Sequence, residues 1–277
     1  SFRWGIIGCG LIAPRFVEQL RKTGEGDVVA AASKSKRRAR KFGDTMGIPA
    51  IYGSYEEMLR SESLDAVYIA TTHNAHMRNA LLCFRYGRTA LVEKPITRNA
   101  AEAEQIIGAA RDAGLFCMEA MWTRFNPSSH AVRALIQDGA IGAVRHFRAA
   151  FCVKMKWRSR KMMPWNRMLN PFLAGGALLD IGVYPISYAR LVFGRPPEKV
   201  EGDAEMLWTG VDKSANLRFT YPDGAHADLS ASFREDRPRD AVIAGSDGEL
   251  RIAHFSGAEN VVLTRPGREP ETISCGE

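Results

Sequence analysis

The sequence predicts an α/β chain of two parts: an N-terminal doubly wound parallel sheet, then an α+β domain on a large, open, mostly antiparallel sheet. Three observations carry this. A glycine-rich turn, Gly8-Cys-Gly10-Leu-Ile-Ala13, follows an apolar strand and precedes a helix start. Apolar strands and polar helices then alternate to about Met118, as parallel strands joined by helical crossovers do. Beyond Gly139 the apolar period falls to two, the mark of half-buried strands. The two domains are placed at residues 1–122 and 123–277.

The elements follow in order. Trp4 to Ile7 is the first strand. Gly8 permits a tight turn, Gly10 lets backbone approach a pyrophosphate, and Ala13 lets the helix pack close to the strand. Leu11 and Ile12 complete the turn, Pro14 suits the first helical turn, and free N–H groups there face an anion. Val28 to Ala32 is a buried strand and Ser35 to Met46 a charged helix. Ser54 with Glu57 forms a capping box for Tyr55 to Arg60. Asp65 to Thr71 is a strand, and His76 to Tyr86 a helix ended by Gly87. Thr89 to Val92 is a strand, Asn99 to Ala113 a helix ended by Gly114, and Leu115 to Met118 the sixth strand.

Asn126 to Gly139 reads as a helix. From Arg145 to Trp157 apolar residues hold the odd positions and His146, Arg148, Lys154 and Lys156 the even ones, so a long half-buried strand is expected. Ala215 to Tyr221 and Ala225 to Phe233 repeat the alternation, with shorter strands at Ala241 to Ala244, Leu250 to Phe255 and Val261 to Thr264. Pro222-Asp-Gly224 and Ser246-Asp-Gly248 are hairpin turns. A helix from Ala177 to Phe193 interrupts the strands and carries Asp180 and Tyr184, four apart and hence on one face.

Composition narrows the class. The 277 residues are 45% hydrophobic and 25% charged, which is globular. No apolar run is expected to reach the roughly 18 residues of a membrane span, and no secretory leader opens the chain. Ser1 reads as a processed or trimmed start. Five scattered cysteines without a CxxC pair read as reduced thiols in the cytoplasm, and no metal site is expected. The net charge of +7 suits an anionic partner such as a dinucleotide phosphate. No motif points to nucleic acid.

Two strand ends carry the chemistry. After the second strand a carboxylate would bind a ribose 2′-hydroxyl. Here Ser33 and Lys34 stand instead, with Arg38 one turn on, a hydroxyl and cations suited to a 2′-phosphate; NADP(H) is expected over NAD(H). After the fifth strand comes Glu93-Lys94-Pro95. Lysine almost never buries without a partner, and parallel strands deliver functional groups at their carboxyl ends.

Gly8-x-Gly10-x-x-Ala13, Glu93-Lys94-Pro95, Glu119-Ala-Met-Trp122-x-Arg124-Phe-x-Pro127 and Gly175-Gly-Ala-Leu-Leu-Asp180-Ile-Gly-x-Tyr184 together resemble the glucose–fructose oxidoreductase/inositol dehydrogenase (Gfo/Idh/MocA) family. Thr209-Gly-Val-Asp212 and Tyr221-Pro resemble its branch acting on trans-dihydrodiols. The likeness spans essentially the whole chain. It implies a Rossmann domain, an open-sheet substrate domain and NAD(P)-dependent oxidation of a cyclic alcohol, a trans-dihydrodiol or pyranose-type sugar. It implies Lys94 and Tyr184 as the proton-transfer pair, with Asp180 supporting. Moving a hydride off an alcohol carbon needs a base for the hydroxyl proton, and an ammonium stabilises a phenolate. By the same resemblance, Thr71, His76, Glu93, Lys94, Trp122 and Arg124 join Gly8, Gly10, Leu11, Ile12, Ser33, Lys34 and Arg38 at the cofactor. Trp122, Trp157, Trp165 and Tyr184 shape the substrate pocket. The Lys94–Pro95 bond is expected to be cis and the protein a homodimer through the open sheet. Family members run some tens of residues past their last sheet strands, so that segment is expected to be missing here. The competing reading is a cofactor-binding regulator of the same fold that has lost its chemistry; retention of Lys94 and Tyr184 argues against it.

Overall fold

The computed structural model describes residues 1–155 and 166–276, and the chain separates into two compact units, Ser1–Ala120 and Met121–Glu277. In the first, strands β1 (Phe2–Ile7), β2 (Gly26–Ala32), β3 (Ala50–Tyr52), β4 (Ala66–Ile69), β5 (Thr89–Val92) and β6 (Cys117–Glu119) alternate with α1 (Ala13–Thr23), α2 (Lys36–Met46), α3 (Tyr55–Ser61), α4 (His76–Arg85) and α5 (Ala100–Asp112). Among the described residues the sheet is six-stranded and parallel, in the order β3-β2-β1-β4-β5-β6. Strand order reverses between β1 and β4, so the turns after those strands flank a switch-point crevice, where such sheets bind ligands. Apolar cores line both faces: Ile7, Met58, Ile69, Val92 and Ile106 in one cluster, and Ile6, Val17, Phe42 and Tyr68 in another. Strands buried on both faces read as continuous apolar runs.

The second unit contains α6 (Pro127–Gln137), β7 (Val144–Cys152), α7 (Val183–Phe193), β8 (Lys199–Met206), β9 (Asp212–Thr220), β10 (His226–Ser232), β11 (Ala241–Gly245), β12 (Glu249–Ile252), β13 (Asn260–Thr264) and β14 (Glu271–Ser274). Among the described residues they form an eight-stranded sheet, β14-β13-β12-β11-β7-β10-β9-β8. Its neighbours are antiparallel except β7 and β10, which pair parallel. One face is apolar. Phe147 and Phe151 of β7 meet Tyr188 and Tyr184 of α7, with ring centroids 5.8 Å and 5.0 Å apart. Phe147, Tyr221, Phe233 and Phe255 are all but fully buried, and each such side chain contributes about 1.5–3 kcal/mol.

Three expectations need correction. The long strand ends at Cys152, not Trp157; Trp157 lies outside the described residues, as does Trp165. The helix expected from Ala177 opens with a π-turn, Leu178–Gly182, before α7 begins at Val183. Residues Pro171–Phe193 do reach span length, at a mean hydropathy of 1.3 over the window; 61% of that window is buried inside the protein and Asp180 sits within it, so the apolarity serves the core. Finally, β8 and β14 had no sequence expectation: every residue of β8 is exposed, although Lys199, Glu201, Asp203 and Glu205 alternate with uncharged residues, and β14 has only Ile273 partly covered.

Candidate active site

In the first unit the glycine turn is built as its sequence requires. Gly8 has φ 98°, and a Cβ there would stand 2.8 Å from the backbone of Ala70. Only glycine fits. Gly10 differs: a Cβ there would meet only the Ala70 carbonyl, at 3.4 Å, an ordinary contact. Leu11 is fully exposed and Ile12 is 39% exposed, at the start of a helix with no side-chain cap. A helix start with open N–H groups and an uncovered apolar turn fits a dinucleotide whose pyrophosphate meets the amides.

At the end of β2, Ser33 is buried, and its hydroxyl accepts from the Ser35 amide at 3.4 Å. Ser35 caps α2 by accepting from the Arg38 amide at 3.4 Å. Lys34 and Arg38 are exposed. Burial pushes the Cys9 thiol up to about 11 against the opposing pull of the Arg38 cation, so the charge of Arg38 is felt at the glycine turn.

The loops after β4 and β5 are tied together. His76 is fully buried; its Nδ1 lies 2.7 Å from the Pro95 carbonyl and its Nε2 3.1 Å from the Thr71 carbonyl. Thr71 Oγ1 also accepts from Asn79 at 3.1 Å. His76 therefore holds both loops from beneath. Glu93 accepts the Tyr68 hydroxyl on one oxygen and the Lys94 amide, at 3.1 Å, on the other. Glu119 accepts from the Ile96 amide at 2.8 Å. The Lys94–Pro95 bond between these anchors is cis, as expected, and Lys94 is half-buried.

In the second unit Tyr184 and Asp180 are buried. Trp122 Nε1 donates to the Tyr184 hydroxyl at 3.3 Å, with the two rings edge to face at 6.1 Å. Trp122 is 40% exposed and offers an aromatic wall. Arg124 is exposed and reaches the Ser187 carbonyl and hydroxyl at 3.5 Å. Arg167 donates to Asp180 Oδ1 from both terminal nitrogens, at 3.3 Å and 3.2 Å. The π-turn is capped from afar: Asp212 Oδ2 accepts from the Leu178 amide at 2.7 Å. The paired glycines before it make room. A Cβ on Gly175 would lie 2.5 Å from the Met168 carbonyl, and one on Gly176, at φ 108°, 2.1 Å from the Asp212 carboxylate.

The strand-end and helix positions expected for Ser33, Lys94 and Tyr184 are those observed, but the contacts of Tyr68, Glu119, Arg167 and Asp212 had no expectation. Tyr68 looked like an ordinary strand residue, and Arg167 lies 13 positions from its carboxylate. Glu119 and Asp212 had a signal, as the first residue of the Glu119-Ala-Met-Trp122 motif and the last of Thr209-Gly-Val-Asp212.

Comparison with known proteins matches this architecture. Residues 2–121 match the oxidoreductase family with an NAD-binding Rossmann fold, and residues 129–251 the GFO/IDH/MocA C-terminal domain. The trans-1,2-dihydrobenzene-1,2-diol dehydrogenase of Mus musculus is 35% identical over 272 residues, covering 97% of this chain and 80% of the mouse protein. Among solved structures, KijD10, a 3-ketoreductase from Actinomadura kijaniata in complex with NADP and TDP-benzene, is 28% identical with a TM-score of 0.86, covering all of this chain and 85% of its own. The aldose-aldose oxidoreductase of Caulobacter crescentus shares the fold, with a TM-score of 0.89 at 23% identity over 99% of this chain and 83% of its own.

The two glycines of the turn should separate in experiment. Gly8→Ala forces a side chain into the left-handed region against backbone, and should cost about 1–3 kcal/mol in urea denaturation. Gly10→Ala should leave stability within about 0.5 kcal/mol, yet weaken pyridine dinucleotide binding in calorimetric titration, because its Cβ meets the ligand rather than the protein.

Proposed function

The chain belongs to the GFO/IDH/MocA family of NAD(P)-binding oxidoreductases, and we propose that it is NADP(H)-dependent and transfers a hydride between the nicotinamide and the ring carbon of a cyclic alcohol. The observation that carries this reading is the presence of both a strand-end lysine, Lys94, and a buried tyrosine, Tyr184, in a chain 35% identical to a dihydrodiol dehydrogenase. When bound, the nicotinamide supplies or accepts the hydride. The protein's part is the proton. In the oxidative direction the substrate hydroxyl gives its proton to the Tyr184 oxygen as the C–H bond breaks, and in reduction Tyr184 returns it to the new alkoxide. Lys94 supplies the positive charge that favours the deprotonated oxygens of substrate and tyrosine. Trp122, donating to the Tyr184 oxygen, orients it. Asp180, itself held by Arg167, supports that helix start.

The substrate in this reading is a trans-dihydrodiol or a pyranose-type sugar. The aromatic surround of Tyr184, formed by Trp122 and Phe151, suits a flat or chair-shaped ring, and Trp157 and Trp165 are assigned to the same pocket from the sequence. NADP(H) preference rests on Ser33, Lys34 and Arg38. With no carboxylate at the end of β2, a ribose 2′-hydroxyl lacks its usual acceptor, while a 2′-phosphate meets a hydroxyl and two cations. Association is assigned to the outer face of the large sheet, where Arg148, Asp228 and Arg218 lie side by side in register and can be met by an identical patch across a two-fold axis.

Three outcomes are expected. NADP(H) should bind at least tenfold more tightly than NAD(H), about 1.4 kcal/mol, and Lys34→Ala or Arg38→Ala should erode that margin; equal affinities in fluorescence titration would refute the preference. Tyr184→Phe should lower kcat about 10²–10⁴-fold with NADP(H) affinity nearly unchanged, and Lys94→Ala at least as far. Full turnover by Tyr184→Phe on a panel of dihydrodiols and sugars, read by NADPH absorbance, would turn the reading to a cofactor-binding regulator. Light scattering at micromolar concentration should return a dimer mass, and Arg218→Glu should shift it toward monomer.

A further inference from the structure

Three ligand-bearing side chains converge on the face of the large sheet opposite Phe147 and Leu229. Strands β7 and β10 pair parallel with His146 directly opposite His226. Their imidazoles stack, with centroids 4.3 Å apart and planes 22° from parallel. Asp228 follows His226 by two residues and so shares its face. Its Oδ2 lies 3.0 Å from His146 Nε2 and 4.0 Å from His226 Nε2. One donor atom from each residue falls within 4.8 Å of the others.

We propose that His146, His226 and Asp228 form a binding site for a divalent transition-metal ion of the zinc type. Metal bonds of about 2.0–2.1 Å put tetrahedral ligand atoms about 3.3–3.4 Å apart, so the His146–Asp228 pair, at 3.0 Å, needs to open slightly and His226, at 4.0 Å from Asp228, to close by on the order of an ångström. Two imidazoles and one carboxylate suit zinc and its neighbours rather than magnesium or calcium. The carboxylate is already aimed. Arg218 donates from Nε to Oδ1 at 2.7 Å and from a terminal nitrogen to Oδ2 at 3.0 Å, and such outer partners fix the orientation of ligating carboxylates. Arg148, next to Asp228 in register, is exposed, so water screens its charge. All three ligands come from one chain and are half-exposed in it, on the sheet face assigned above to association. The bound ion would clamp β7 to β10, the parallel pair within the sheet.

The test is independent of the oxidoreductase reading. Untagged, chelator-treated protein is titrated with Co²⁺, followed by visible absorption, and with Zn²⁺ by calorimetry. Expected are one ion per chain, a tetrahedral cobalt spectrum and a melting temperature that rises with metal concentration. His146→Gln and His226→Gln, conservative changes at half-exposed positions, should each weaken binding at least tenfold. Tyr184→Phe should bind as the parent does. Absence of saturable binding by the parent protein, or wild-type affinity in both histidine variants, overturns the site.

Discussion

A single imidazole joins the two loops on which the first unit's working edge depends. His76 sits beneath the sheet's carboxyl ends, with the Thr71 carbonyl on one nitrogen and the Pro95 carbonyl on the other. A buried ring so engaged fixes the spacing between the loop after β4 and the loop after β5. The first of these backs the glycine turn: the Ala70 backbone that excludes a side chain at Gly8 is the residue before Thr71. The second carries Lys94. Glu93 and Glu119 then take up backbone amides of that same loop. A lysine positioned in this way loses little further freedom when it engages a ligand, which is the value of a rigid setting for a functional group.

The second unit solves a comparable problem with helix geometry. Asp212, at the start of β9, reaches over to accept the Leu178 amide, and the glycines at 175 and 176 exist to let it and the Met168 carbonyl come close. The resulting turn is a π-turn rather than an α-turn. π-turns are rare, and they concentrate at functional sites because they re-aim side chains that a regular helix would stack. Here Asp180 turns to Arg167, while Tyr184 meets Trp122 and Phe151.

Where residues act through local spacing, the sequence was readable. The glycine turn, the capped helix starts at Ser54 and Asn99, the apolar strands and the alternation through β7, β9 and β10 all rest on neighbours a few positions apart. The capping box was half right: Ser54 does cap the Glu57 amide, but its hydroxyl turns to Glu56. The candidate site residues were nominated in the same way, because Lys94 and Ser33 stand at strand ends and Tyr184 on a helix. The hidden features depend on distant partners. Whether β7 pairs with β10 in parallel is a matter of topology, 80 residues apart at His146 and His226. Arg167 became visible only once its partner Asp180 was placed. The π-turn reads as helix in any periodicity, since its apolar residues are those of a core.

The strand at the sheet margin, exposed on both faces, has its own physical meaning. β8 lies at one margin of the large sheet and is exposed at all eight positions. Its free side offers a row of amides and carbonyls on which another chain could grow. Along it run Lys199, Glu201, Asp203 and Glu205. Charged side chains at a sheet margin discourage such growth. An identical strand laid against it would set carboxylates against carboxylates over much of its length, and burying those charges would cost more than the new ladder returns. Charge therefore lets this sheet stay open at its margin without seeding fibrils, and neutralising those carboxylates by acid would remove that protection.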